Sequence, residues 1–159
     1  VLRSVLIGCV LICGAASSLR AQDLTVVRPD GSERRLTAAE LASLPQQQIT
    51  ATDHGVLTRF EGVELRALLR LAGAGPTDSL RGPAVRRVVF FVGADGYAAA
   101  IALAELDPAL GARPVFIVSR ANGAPLPAEH GPWRVIIPSD GRAARWVRQL
   151  QRIEISERR

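Results

Sequence analysis

The chain has 159 residues with 20 basic against 15 acidic side chains, and every one of the 20 basic residues is Arg. Without Arg3 and Arg20, which fall in the N-terminal segment, 18 Arg face 15 acids. That excess is too small and too dispersed to describe a nucleic-acid-binding surface. Reactive groups are scarce: two His, one Tyr, and two Cys that both lie near the start, at Cys9 and Cys13. There is no Gly-x-Ser-x-Gly elbow, phosphate loop, Gly-x-Gly-x-x-Gly or His-Glu-x-x-His, and two lone His without Cys do not build a standard structural zinc site. A hydrolase or metalloprotease is therefore not expected, and neither a catalytic residue nor a metal-ligating set is named.

The first segment has a basic start at Arg3, an apolar stretch from Val5 to Ala16, and small or polar residues up to Gln22. This is the layout of a secretory signal, expected over residues 1–21 with cleavage after Ala21 and Ala16 as the weaker site. The apolar run falls short of the about 20 residues that span a bilayer, so no membrane span is expected after cleavage. Leu6-Ile7-Gly8-Cys9 resembles a lipoprotein box, but too few residues precede Cys9 for a charged and an apolar region, and lipidation is not expected. Periplasmic or secreted localisation follows. Residues 22–159 contain no Cys and suit one domain, which at this size buries about two thirds of its extended surface and needs no disulfide.

In chain order, Leu24 to Val27 reads as a strand turned back by Pro29-Asp30-Gly31-Ser32. Thr37-Ala38-Ala39-Glu40 is a capping box for a short helix closed by Pro45. Gln48 to Thr52 and Val56 to Phe60 read as strands around Asp53-His54-Gly55. From Glu61 the spacing of Val63, Leu65, Leu68, Leu69 and Leu71 predicts an amphipathic helix, stopped by Gly73-Ala74-Gly75-Pro76. Arg87 to Val92 is a buried strand; Asp95-Gly96 turns into a second apolar segment, with a helical turn over Ala102 to Leu106. Val115 to Val118, Arg134 to Ile137 and Gln151 to Ile155 are further strands, Asn122-Gly123 signals a tight turn, and Ser139 to Val147 is an Arg-rich loop or helical turn. Strands and short helices mix without a βαβ rhythm. The class is α+β, a single compact domain of mixed β-sheet with short helices.

In Asp95-Gly96-Tyr97 the favoured reading is a turn whose Tyr97 packs in the core, the other being a hydroxyl facing a pocket. Arg142, Arg145 and Arg148 are three apart and share one face if that stretch is helical; Arg142 and Arg148 are then expected in solvent. Trp133 and Trp146 read equally as pocket walls and as packing anchors.

Phe60-Glu61-Gly62-Val63-Glu64-Leu65 with Leu68-Leu69, then Asp95-Gly96-Tyr97, Asn122-Gly123-Ala124-Pro125-Leu126, Gly131-Pro132-Trp133-Arg134-Val135-Ile136-Ile137-Pro138, Arg145-Trp146-Val147 and Ile153-Glu154-Ile155 follow in fixed order. Together they resemble the molybdopterin-binding domain of sulfite-oxidase-type oxidoreductases over roughly Gln46 to Ile155. The resemblance implies that fold, a molybdenum atom on a pterin dithiolene as cofactor, and basic side chains that grip the pterin and its phosphate. Carried over residue by residue, the cofactor-binding positions are His130, Arg134 and Arg145, and His54 lies where the chain nears the family's metal site. Charge-assisted donors at these positions suit a phosphate-bearing ligand.

Two departures bear on what that resemblance implies. Catalytic members place a cysteine thiolate upstream of the phrase Phe60-Glu61-Gly62-Val63, where this chain has Thr50-Ala51-Thr52-Asp53-His54. An oxygen from Asp or Thr is a harder and weaker donor than a thiolate. Relatives loaded with the cofactor commonly leave the cytoplasm folded, through the twin-arginine route, and the segment here shows only Arg3. The expected function is an exported molybdopterin-binding-domain protein of the sulfite-oxidase type, with its oxidoreductase chemistry in question. The other reading is a non-enzymatic periplasmic module for a small anionic ligand or a partner protein; no redox partner is named.

Overall fold

A computed structural model describes residues 22–75 and 77–157. The expected signal segment, with Cys9 and Cys13, lies outside the described residues. Strands β1 (Leu24–Val27) and β2 (Glu33–Leu36) form the expected hairpin. Its turn is closed by the Asp30 carboxylate, which accepts from the Ser32 N–H at 2.9 Å and from its hydroxyl at 2.7 Å. Helix α1 (Ala38–Ala42) carries the full capping box: Glu40 N–H donates to Thr37 Oγ1 at 3.2 Å, and Thr37 N–H donates to Glu40 Oε2 at 2.8 Å.

Strands β3 (Gln46–Asp53) and β4 (Val56–Glu64) pair through the two-residue turn His54-Gly55, both at positive φ (47° and 85°), the geometry that matches strand twist. The helix expected from Glu61 begins only at Leu65: α2 runs Leu65–Leu71, and Phe60 to Glu64 remain strand. The apolar spacing was shared by both periods, and pairing on both flanks decided it, because β4 is bonded to β3 on one side and to the later strand Phe116–Ala121 on the other. Leu65, Leu68 and Leu69 of α2 are wholly buried, each contributing about 1.5–3 kcal/mol.

Strands β5 (Arg87–Gly93) and β6 (Ala98–Ala102) follow, then β7 (Phe116–Ala121), β8 (Ala124–Pro125), β9 (Arg134–Ile136) and β10 (Leu150–Glu157). Short 3-10 turns lie at Gly82–Arg86, Leu103–Leu106 and Ala143–Arg145. The first sheet has the order β2-β1-β10-β5-β6, with β1 and β10 parallel and the other pairs antiparallel. The second has the order β3-β4-β7-β8, with β9 also paired to β7. One apolar cluster joins Val26, Phe91 and Ile153 of the first sheet, Phe60, Val63 and Ile117 of the second, and the α2 leucines. This mixed arrangement with short helices is the α+β domain expected. Among the described residues no helix is long and apolar enough to cross a membrane.

Gly62 shows why one phrase of the sequence is fixed. A Cβ there would lie 2.2 Å from the Ile117 carbonyl oxygen and 2.5 Å from Val118 Cα, at the point where the β4–β7 register shifts. The two backbones approach so closely that no side chain fits.

Candidate functional site

The two sheets meet where β9 and β10 begin. Leu150 N–H donates to the Trp133 carbonyl at 2.8 Å and Val135 N–H to that of Val147 at 2.9 Å, which places Arg134 at the seam. Arg134 is only 2% exposed. Its Nη1 donates to Asp53 Oδ2 at 2.6 Å and its Nη2 to Asp53 Oδ1 at 3.1 Å, a two-pronged ion pair. Its guanidinium carbon lies 5.9 Å from the centre of the Phe60 ring and 5.8 Å from that of Trp146, and those rings meet edge to face. The Arg134 hydrogen bond is the largest influence on Asp53 and holds its carboxyl below the usual carboxylate range, against the opposing effect of burial. Arg134 Nε is buried and has no hydrogen-bond partner among the described residues.

Beside this pair opens a pocket of about 310 Å³ whose wall includes His54, Tyr97, Arg134, Trp146 and Arg148. Four segments converge on it: the β3–β4 turn, the β5–β6 turn, the start of β9, and the stretch leading into β10. Tyr97, expected in the core, is instead 52% exposed and on this wall, where its hydroxyl donates to the Ala144 carbonyl at 2.7 Å. The turn before it is closed by Tyr97 N–H donating to Asp95 Oδ1 at 2.9 Å, and the hydroxyl's bond to Ala144 holds the ring outside the core. A wider cavity of about 660 Å³ adjoins it through His54, Ala143 and Ala144, and includes Arg142. Arg142 and Arg148 are exposed and form no ion pair among the described residues, and the exposed Asp95 carboxylate stands on the smaller pocket's wall together with Arg148.

The four sequence-named residues divide. Arg134 and His54 stand together on the pocket wall, His54 with an 86% exposed side chain whose Nε2 is 3.8 Å from Asp53 Oδ1. His130 is not on that wall; its carbonyl accepts from Gln149 N–H at 3.0 Å. Burial first, then the charges of Arg134 and Arg148, push its proton affinity below that of an ordinary His. Arg145 is turned into an ion network: its Nε donates to Asp140 Oδ2 at 3.0 Å, while Arg113 bonds Glu105 at 2.7 Å and Asp140 at 3.2 Å. Bonding to Asp140 raises the proton affinity of Arg145 further. Arg142 and Arg148 do not share a helical face with it, because only Ala143–Arg145 form a turn. Trp146 is both packing anchor and pocket wall, whereas Trp133 is buried, with its Nε1 donating to the Gln22 carbonyl at 2.8 Å. Sequence reasoning did not find the Asp53–Arg134 pair, and it named Arg148 only as a charge in solvent, where it stands exposed but on the pocket wall; spacing along the chain carries no signal for partners this far apart.

The family model described as oxidoreductase molybdopterin binding domain matches residues 17–159. Among solved structures, the sulfane dehydrogenase SoxCD from Paracoccus pantotrophus is similar, with a TM-score of 0.68 and 17% identity. That match covers 87% of this chain but 39% of the SoxCD chain, and at this identity it bears on the fold alone. No curated protein matches the chain.

The donors present fit one part of a molybdopterin group and not the other. The orphaned Arg134 Nε, with Arg148 and His54 on the same wall, suits an anionic, phosphate-bearing ligand. The metal finds no such match: residues 22–159 hold no thiol, and the Asp53 carboxylate at the corresponding stretch is already bound at both oxygens by Arg134. No group of three or more His, Cys, Asp or Glu that could hold a metal ion occurs among the described residues.

Proposed function

The chain belongs to the oxidoreductase molybdopterin-binding domain family, and from that premise we propose that it is exported and binds the phosphate-bearing pterin portion of such a cofactor in the pocket beside Arg134. The observation that carries the reading is the pocket wall itself, where the buried Arg134 has an unpartnered Nε and the exposed Arg148 and His54 supply further donors. Arg148 and His54 meet the anion, Trp146 and Tyr97 supply flat surfaces for a ring system, and Asp53 keeps Arg134 fixed and charged. Oxygen-atom transfer through a thiolate-ligated metal is not part of this function, because residues 22–159 offer no thiolate.

The test is pterin and molybdenum analysis of protein purified from its native envelope, together with thermal melts in inorganic phosphate. Retained pterin, and a melting temperature that rises with phosphate in wild type but not in Arg148→Ala, are expected. A pterin-free preparation that takes up none, and whose melting is indifferent to phosphate, overturns the reading.

A further inference from the structure

The sheet edges of this domain are not equally defended. At the outer edge of the first sheet, β2 is four residues long and carries Glu33, Arg34 and Arg35, while β6 has five residues and the Ala143–Arg145 turn packed beside it. In the second sheet β8 has two residues and β9 three. Strand β3 is different. It is eight residues long, pairs with β4 in an unbroken register from Gln46↔Val63 to Asp53↔Val56, and ends its sheet. From Gln46 to Thr52 it reads Gln-Gln-Gln-Ile-Thr-Ala-Thr, with no charge, proline or glycine. Its one charge, Asp53, is taken by Arg134. Proteins protect exposed edges with charges, proline, bulges or brevity, and β3 has none of these.

The hydrogen-bonding phase of the edge follows from its neighbour. Asn122 N–H donates to the Arg59 carbonyl at 2.7 Å, and Arg59 N–H donates to Asn122 Oδ1 at 3.1 Å, so the Arg59 backbone faces away from β3. Thr50 is the residue opposite Arg59, and by antiparallel alternation its own N–H and C=O face the open edge, as do those of Gln46, Gln48 and Thr52. Ile49 packs against the core yet remains partly exposed at this edge.

We propose that β3 is a strand-addition surface for a second copy of this chain, pairing antiparallel about a two-fold axis at Ile49. Gln48 of one copy then lies opposite Thr50 of the other, and Gln46 opposite Thr52, with every outward backbone group bonded. The two Ile49 side chains meet as the close, non-hydrogen-bonded pair on the axis and lose their remaining exposure. A second copy is the fitting occupant because the strand complements itself. Being uncharged from Gln46 to Thr52, it opposes no like charges across the axis, and an isologous contact of this kind closes as a dimer instead of growing into a fibre. The second sheets of the two copies become one continuous sheet.

Light scattering coupled to size exclusion, over a concentration series of the full chain, tests this. Wild type is expected to reach the mass of two chains. In the double variant Gln48→Lys with Thr50→Lys the first change faces Glu61 within the same copy and the second faces Arg59, so the attraction of one offsets the repulsion of the other. Across the axis the variant sets lysine against lysine, and dimer affinity is expected to fall on the order of a hundredfold. Thr50→Pro, which deletes one outward N–H, is the second variant and should also give single chains with an unchanged circular dichroism spectrum. Wild type that stays a single chain throughout, or a dimer that persists in whichever of these variants is folded, overturns the proposal. A single-chain wild type that instead adds an extended synthetic peptide assigns the edge to a different partner and likewise overturns self-pairing.

Discussion

Arg134 at the start of β9 and Asp53 at the end of β3, 81 positions apart in the chain but in the same sheet, are joined with both carboxylate oxygens engaged. The Arg134 side chain is 3% exposed and that of Asp53 15%, so the pair stands largely out of water. Removing one partner leaves the other buried and uncompensated.

Arg134→Met or Asp53→Leu alone is therefore expected to cost about 2–4 kcal/mol, somewhat below the full value for a buried pair because Asp53 keeps some solvent. The double change Asp53→Leu with Arg134→Met should cost less than either single one, since no orphan charge remains. Urea unfolding of the four proteins measures the coupling, and additive losses would contradict it.

Acid should weaken the fold through the same pair. The Asp53 carboxyl is held below its unfolded value, about 3.9, so its contribution is full above that pH and is lost as the pH falls toward the depressed folded value. Asp53→Asn removes this part of the acid limb, and melting temperatures between pH 5 and pH 2 read it.

His130 predicts a second, separate limb. Its folded proton affinity is lowered, so the unfolded chain takes up a proton first, and stability falls as the pH drops below about 6.5, levelling off beneath the folded value. His130→Gln should flatten melting temperature against pH between pH 7 and pH 5 while leaving the lower limb of Asp53 in place.

Gly62→Ala is expected to be severe. The added methyl meets the β7 backbone, which cannot rotate away as a side chain would, and a loss of about 3 kcal/mol or more is expected by denaturant unfolding. An ordinary loss of under 1 kcal/mol would mean that β4 and β7 can separate cheaply at their register shift.

Export has its own test. Protein recovered from the envelope should begin at Gln22 by intact-mass measurement, and a mass retaining residues 1–21 would contradict processing after Ala21.

How far the sequence could be read depended on the range of the interaction. The Asp30 turn, the Thr37 capping box and the glycines of the two tight hairpin turns are local, and each appears in the structure where its residues stand. Helix α2 was misplaced at its start because Val63 and Leu65 satisfy both a strand and a helical period, and only pairing with β3 and β7 decides between them. At the site, the family phrases brought attention to Arg134 and His54. They did not reveal that Arg134 is locked by Asp53, that Tyr97 leaves the core, or that Arg145 is drawn to Asp140, because those outcomes rest on contacts between remote segments.

Strand β10, last of the ten among the described residues, is the middle strand of its sheet: β1 lies on one side of it, with Thr25 opposite Arg152, and β5 on the other. Until Leu150–Glu157 leave the ribosome, the β1–β2 and β5–β6 hairpins have nothing to join them, and the first sheet exists only as two separate halves. Such non-local closure is slow compared with hairpin formation.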